Sequence, residues 1–217
     1  IMKNLGLKCF EIPADISSAS FFIALGVLAS EKGILLTDVC LNPTRDGIIR
    51  VLKRMNADIQ IMNEKVNSVG EEVGDILVKK SKLKATIINE EEIPLLVDEI
   101  PIISAIALFA EGETIVNNAG ELRVKESDRI KSIKTEFSKL GADITELKDG
   151  LIIKGMAEDA FKILKNCEVN TYYDHRIAMS LIILSKVLEG EMILDDVSAI
   201  TTSFPNFFEC LNDVCKF

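Results

Sequence analysis

Tryptophan is absent from the sequence, and histidine occurs only once. The cysteines are scattered and show no CxxC spacing, so they indicate neither a disulfide framework nor a zinc site; they are Cys9, Cys40, Cys167, Cys210 and Cys215. Free thiols of this kind are typical of a reducing cytosol. Because His175 is the single imidazole, the sequence also excludes a multi-histidine metal centre.

Basic residues and long apolar runs are also scarce. The 25 Lys and Arg residues against 34 Asp and Glu residues give a net charge of −9. This balance argues against a general nucleic-acid binder, which needs a basic face. The apolar stretches, such as residues 100–110, are shorter than the ~20 residues of a membrane span. The opening residues, interrupted by charges and Pro13, do not resemble a signal peptide. We expect a cytoplasmic protein with no nucleic-acid or membrane partner.

Internal repetition is the most informative feature that is present. Three segments begin with an aspartate, continue into a helix-length apolar stretch, and then reach a glycine and a short strand-like run. The leading aspartates are Asp15, Asp98 and Asp174. A second, amphipathic helix follows in each segment, starting near Asp46, Ser127 and Ser203. We therefore interpret residues 1–217 as a single domain built from three units, at about 7–80, 84–156 and 167–217.

Each unit is predicted to have the order β-α-β-α-β-β. The entry strands are KCFEIPA, KATIINE and CEVNTYY, and two closing hairpins follow, the second turning at Asp149-Gly150. The first helix of each unit is apolar almost all round, which is typical of a helix enclosed by protein. The predicted fold class is α/β: an inside-out α/β barrel with buried parallel helices. The third unit is incomplete, because no closing hairpin precedes Phe217.

The starts of the three apolar helices are the first candidate site. Helix N-termini carry free N–H groups and a partial positive charge, so three that converge would attract an anion. The alternative is that these residues are simply N-caps, a role that Asp and Ser perform well. Capping is the favoured interpretation for Asp15, Ser17 and Ser18, whereas both interpretations stay open for Asp98 and Asp174.

A second candidate site lies in the segment GELRVKESDRIKSI, residues 120–133. Its charges alternate in sign; they belong to Arg123, Lys125, Glu126, Asp128 and Arg129. On charge alone, a solvated and salt-bridged helix entry capped by Ser127 or Asp128 is the favoured interpretation.

The triplet Asp174-His175-Arg176 places an acid, a titratable base and a bidentate anion-binding group at one helix start. A lone histidine is more often structural than catalytic. Carboxylates beside cationic groups can nevertheless move protons on an anionic substrate.

Five motifs carry a resemblance to a known family. In this sequence they are DISSASFF (15–22), LNPTRDGII (41–49), LRVKESDRI (122–130), DHRIAM (174–179) and SFPNFFE (203–209). In order and spacing they resemble the C-terminal half of the 5-enolpyruvylshikimate-3-phosphate synthase family, and the match covers essentially the whole chain. The resemblance shifts the interpretation of the charged motifs towards function.

The resemblance implies an activity and a domain arrangement. The family folds as two domains that close around phosphoenolpyruvate and shikimate 3-phosphate. It transfers the enolpyruvyl group to the 5-hydroxyl through a tetrahedral intermediate, with release of phosphate and with no metal or other cofactor. By this resemblance, the chain is a fragment that is inactive without its N-terminal domain, and glyphosate is a possible inhibitor.

The resemblance also implies roles for individual residues. Asp98 matches the aspartate that binds the shikimate hydroxyls and accepts a proton. Lys125 matches the lysine that contacts the 3-phosphate, and Glu126 the glutamate implicated in proton transfer at the enolpyruvyl methylene. Both carboxylates are therefore expected to be catalytic.

The same motifs imply a phosphoenolpyruvate site. Arg129 and Arg176 match two arginines that bind phosphoenolpyruvate, and His175 lines the same pocket. Two positions depart from the pattern of some members: Thr202 replaces a lysine that touches phosphoenolpyruvate, and Glu121 replaces an asparagine that contacts shikimate 3-phosphate.

Two alternatives remain at this point. One is the sister family that transfers enolpyruvate to a UDP-amino sugar, which shares the repeated fold but lacks the combination of KESDR and DHRIAM. The other is a non-catalytic, anion-binding or interaction module, which would bind its ligand without a second domain.

Overall fold

The computed structural model describes residues 11–215, in which helices and strands alternate. The helices are α1 (Ile16–Ala29), α2 (Gly47–Arg54), α3 (Ile100–Ala107), α4 (Arg129–Lys139), α5 (Ala160–Ile163), α6 (His175–Val187), α7 (Ile200–Ser203) and α8 (Phe207–Val214). The strands are β1 (Ile34–Cys40), β2 (Asp58–Val66), β3 (Glu72–Lys79), β4 (Ile87–Ile88), β5 (Glu111–Val116), β6 (Asp143–Leu147), β7 (Gly150–Met156), β8 (Glu168–Val169) and β9 (Ile193–Leu194). Short 3-10 segments span Glu90–Leu95, Val97–Glu99, Gly120–Val124 and Ala157–Asp159. The fold is mixed α/β.

The three apolar helices α1, α3 and α6 form the centre of the core and contact one another. Every residue of α3 is buried, and α1 and α6 expose little except near their C-terminal ends. A helix that is apolar on all sides is stable only when protein surrounds it, since each buried aliphatic side chain contributes about 1.5–3 kcal/mol. The enclosure predicted from the sequence is confirmed.

Two of the sheets pack against these helices: β1 and β3 contact α1, and β7 contacts α3. β1, β3 and β2 form an antiparallel sheet in that order, and β4, β5, β7 and β6 form a second sheet in which only the β4–β5 pair is parallel. β8 and β9 form a parallel pair of two residues each. The two long hairpins, β2–β3 and β6–β7, are the ones that the sequence predicts.

The second hairpin turns one residue earlier than predicted. Gly150 pairs with Leu147, so the turn consists of Lys148 and Asp149, and Gly150 is already the first residue of β7. A Cβ atom at position 150 would lie 1.9 Å from the carbonyl oxygen of Val116. Gly150 is therefore needed for the close approach of β7 to β5 at Val116 rather than for the turn itself.

The second helix of the third segment also differs from its prediction. It was expected from Ser203, but α7 ends at Ser203 and α8 begins at Phe207. Pro205 explains the break, because a residue that precedes proline is disfavoured in the helical region. Phe204 accordingly has φ −140° and ψ 78°.

The predicted entry strands are much shorter in the structure. KATIINE forms β4 and a single parallel bridge from Lys84 to Glu111, and CEVNTYY forms only β8. KCFEIPA spans residues 8–14, of which 8–10 lie outside the described residues; Ala14 forms a single parallel bridge with Val39. Within residues 11–215, no helix is both long enough and apolar enough to cross a membrane.

Candidate active site

The N-terminal ends of α1, α3 and α6 meet at one place. The Ser17 hydroxyl, in the first turn of α1, donates to the carboxylate of Glu99, just before α3. Arg176, in the first turn of α6, donates from Nη1 to the Ser17 carbonyl at 3.3 Å. The predicted convergence is therefore present, and the start of α4 joins it through Arg129.

Arg129 is the centre of an ion-pair network. Its side chain is only 1% exposed. Its Nε lies 2.9 Å from Asp174 Oδ2, its Nη1 2.9 Å from Asp98 Oδ1 and its Nη2 2.6 Å from Glu126 Oε2. Burial lowers the pKa of this guanidinium, but the bonds to carboxylates outweigh burial and raise it. Arg129 is a permanent cation that holds three carboxylates in one geometry.

Asp174 is both a cap and an ion-pair partner. Its Oδ1 accepts from the backbone N–H groups of Arg176 and Ile177, which caps α6. Its Oδ2 accepts from Arg129 and from the Ser127 hydroxyl, at 2.9 Å each. Burial raises the pKa of the carboxyl, but Arg129 outweighs burial and the pKa is lowered. Asp174 is fully occupied by protein donors and holds the helix start in place.

Asp98 is not a helix cap, so the capping interpretation is wrong for this residue. It lies in the 3-10 turn Val97–Glu99, and its side chain makes no capping bond to α3. Its carboxylate is 42% exposed and lies 2.9 Å from Arg129 Nη1 and 3.9 Å from Lys125 Nζ. Burial raises the pKa of Asp98, but the bond to Arg129 and the charge of Arg176 outweigh it and lower the pKa. The carboxylate is ionised and accessible.

Lys125 and Glu126 complete the accessible side of the network. Lys125 Nζ lies 2.7 Å from Glu121 Oε1 in addition to its contact with Asp98. The carboxylate of Glu126 is about half exposed and is bonded on one side by Arg129. One cation, Lys125, and three carboxylates, those of Asp98, Glu121 and Glu126, are therefore partly exposed on this side of the network.

Arg176 has a partner that the sequence analysis missed. Its Nη1 lies 3.8 Å from Glu99 Oε1, and both side chains are buried. Its guanidinium packs over the ring of Phe21, 5.8 Å from the centroid. Its Nε, by contrast, is buried and has no hydrogen-bond partner among residues 11–215. An unsatisfied buried donor costs about 1–3 kcal/mol, so this atom is an energetic cost in the site as it stands.

The pKa values of Glu99 and His175 shift in opposite directions. Burial raises the pKa of Glu99, and the opposing effects of Ser17 and Arg176 do not cancel the rise. Burial, followed by the charge of Arg176, lowers the pKa of His175. His175 is therefore neutral at pH 7 and can offer one donor and one acceptor nitrogen.

The two positions that depart from the family pattern, Glu121 and Thr202, lie in different parts of the structure. Glu121 pairs with Lys125 in this network. Thr202 lies in α7, where its hydroxyl donates to the carbonyl of Ala199 at 2.7 Å. Within residues 11–215, no group of three His, Cys, Asp or Glu side chains is arranged to hold a metal ion.

Comparisons with known proteins identify the family of the chain. The family model described as EPSP synthase (3-phosphoshikimate 1-carboxyvinyltransferase) matches residues 3–211. A 3-phosphoshikimate 1-carboxyvinyltransferase of Endomicrobium trichonymphae is 48% identical over 99% of this chain and 49% of its own length. One from Caldicellulosiruptor saccharolyticus is 45% identical over 96% of this chain and 47% of its own length.

A solved structure shows the same likeness. EPSP synthase from Acinetobacter baumannii has a TM-score of 0.88 and 38% identity over 93% of this chain and 46% of that one. The chain thus spans about half the length of the relatives that it matches. The chain belongs to the EPSP synthase family.

Proposed function

We propose that the protein containing these residues transfers enolpyruvyl from phosphoenolpyruvate to the 5-hydroxyl of shikimate 3-phosphate, releasing phosphate, on the route to chorismate and the aromatic amino acids. The observation that supports this best is that three cations, Arg129, Arg176 and Lys125, lie in one network of a chain of net charge −9, where substrate anions would share them with the carboxylates that pair them now. Two polyanionic substrates that must react with each other need such a region.

The arginines have distinct tasks in this proposal. Arg176 has one donor, Nε, that no group in residues 11–215 takes, and its guanidinium suits a carboxylate or phosphate oxygen. Arg129 binds phosphoenolpyruvate as well, through the one Nη1 hydrogen that its bonds to Asp98, Glu126 and Asp174 leave unused. Lys125 binds the 3-phosphate, and neutral His175 lines the pocket.

The carboxylates move the protons. Asp98 accepts the proton of the attacking 5-hydroxyl, and Glu126 takes part in proton transfer at the enolpyruvyl methylene. Before substrates bind, the surrounding cations lower the pKa of Asp98 and make it a weak base. When the substrate anions bind, they share those cations, so the pKa of the Asp98 carboxyl rises and the carboxylate becomes a stronger base.

The arrangement of the domain is part of the same proposal. The order α-β-α-β-β runs from α1 to β3. It recurs from α3 to β7, where a 3-10 segment lies between β5 and α4. In the third segment, α6 is followed by β9, α7 and α8. This order supports an inside-out barrel of three units over residues 1–217. Since the relatives are about twice as long, we propose that an N-terminal domain supplies the other substrate contacts, and that glyphosate competes at the phosphoenolpyruvate site.

We expect residues 1–217 alone to show negligible transferase activity. The substrates would contact only one half of the site, so the geometry for attack would not form. The measurement is phosphate release from phosphoenolpyruvate and shikimate 3-phosphate, by the isolated chain and by the intact gene product, with a UDP-amino sugar as the control acceptor. Turnover by the isolated chain at the intact rate would contradict the proposal, and so would a preference for the UDP-amino sugar.

Replacing each of two cations with alanine should weaken the binding of a different substrate. In the intact gene product, Arg176→Ala should raise the dissociation constant of phosphoenolpyruvate about 10- to 150-fold, because a charge-assisted bond contributes about 1.5–3 kcal/mol. Lys125→Ala should mainly raise the KM for shikimate 3-phosphate, about tenfold or more. Titrating each variant with each substrate is the measurement. An unchanged constant for the assigned substrate would refute that assignment.

A further inference from the structure

The segment that leads into α6 has an unusual backbone. Tyr172 and Tyr173 have φ values of 56° and 54°, and both lie directly before Asp174. Two consecutive left-handed residues that are not glycine are strained, because the Cβ atom approaches the following carbonyl. Such a conformation persists only where the surrounding structure holds it.

The contact that holds it comes from α4. Glu136 is completely buried, and its Oε1 accepts from the Tyr172 hydroxyl at 2.5 Å. Its Oε2 accepts from the backbone N–H of Asn170 at 2.8 Å and pairs with Lys139 Nζ at 2.7 Å. Burial, followed by the bond to Glu136, raises the pKa of Tyr172 to about 12, so its hydroxyl remains a donor at neutral pH.

α4 therefore holds the segment at two points. Arg129, at the start of the helix, binds Asp174, and Glu136, about two turns further on, binds Tyr172. Together with the bond from the Asn170 N–H to Glu136, these contacts hold the chain before, within and after the strained pair. They fix where the backbone enters α6 relative to Arg129.

We propose that Tyr172 and Glu136 are positioning residues that hold His175 and Arg176 in register with Arg129. The proposal rests on the function proposed above, in which Arg129 and Arg176 bind the same phosphoenolpyruvate. If the Tyr172–Glu136 contact is lost, the strained pair relaxes and the first turn of α6 moves. The Arg176 guanidinium then no longer meets the anion at the right angle, although neither Tyr172 nor Glu136 touches it.

The chain offers a matched pair of variants. Tyr172→Phe and Tyr173→Phe make the same chemical change at adjacent residues with the same backbone conformation, but Tyr172 bonds Glu136 and the side chain of Tyr173 is mostly exposed. In the intact gene product, Tyr172→Phe should raise the KM for phosphoenolpyruvate about tenfold, in keeping with the loss of one hydrogen bond to a charged group. The KM for shikimate 3-phosphate should change less than twofold, and Tyr173→Phe should change neither constant.

Amide hydrogen exchange provides a second readout on the same proteins. Tyr172→Phe should speed exchange in the first turn of α6, and Tyr173→Phe should not. If Tyr172→Phe fails to fold, Glu136→Gln replaces it, and the KM for phosphoenolpyruvate should rise in that variant too. A fall in melting temperature with unchanged KM and exchange would overturn the proposal. Absence of turnover in the wild type would instead overturn the proposed function, and the exchange comparison would still test the contact.

Discussion

Replacing Arg129 with alanine should lower the free energy of unfolding by about 3–5 kcal/mol, because it leaves a buried carboxylate without its cation. The Asp174 side chain is inaccessible to solvent and forms its ion pair with Arg129. Asp98 and Glu126 lose the same partner but are partly exposed, so water compensates them. The stability loss should therefore come mainly from Asp174.

Denaturant unfolding of the wild type and two variants measures this effect. Arg50→Ala is the control, since Arg50 pairs with Asp46 at 2.8 Å but is about half exposed. An exposed pair contributes about 0–1 kcal/mol. Equal losses for Arg129→Ala and Arg50→Ala would contradict the argument.

The pH dependence should identify Asp174 as the source. In the wild type its pKa is lowered, so its contribution to stability is present above the unfolded value of 3.8 and is lost as the pH falls through the folded value. In Arg129→Ala, burial without a cation raises the pKa of Asp174, and protonation then relieves the unpaired charge. The difference in stability between wild type and variant should shrink on acidification. A constant difference would exclude Asp174.

The residues of this network could be predicted from the sequence, but their pairing could not. The doublet Asp98-Glu99 shows why. In a 3-10 turn, successive side chains point about 120° apart, so Asp98 faces Arg129 and open solvent while Glu99 turns inward to Ser17 and Arg176. Nothing in the two letters indicates which of them is buried.

The fold, too, was predictable where the signal is local in the sequence and not where an element depends on distant residues. The apolar helices were predictable because an aspartate cap and a long apolar run are local signals, as at Asp15 and α1. The strands β4, β8 and β9 are two residues long and depend on neighbours that are distant in sequence. Glu136 gave no signal either, because a glutamate within an amphipathic helix usually faces water.

Asp98→Asn should lower turnover by about 10²–10⁴-fold, the usual effect of removing a positioned general base. The amide oxygen can still accept the hydrogen bond from Arg129 Nη1, so the position of that guanidinium should change little. The amide cannot accept a proton at neutral pH. Substrate binding should consequently survive while the chemical step fails.

Asp15→Asn is the matched control, because Asp15 also precedes a buried helix at the place where the helix starts meet. Asp15 is a true cap, accepting from the Ser18 N–H at 3.0 Å, and an asparagine caps equally well. Its variant should keep turnover, and it should lose at most about 1 kcal/mol of stability, because the ion pair of Asp15 with Arg45 at 3.0 Å is exposed. Measuring kcat and the dissociation constants of both substrates for the two variants in the intact gene product separates the roles. If Asp98→Asn turned over at nearly the wild-type rate, the ionised carboxylate beside Arg129 would serve to bind the shikimate hydroxyls, and the proton would leave by another group.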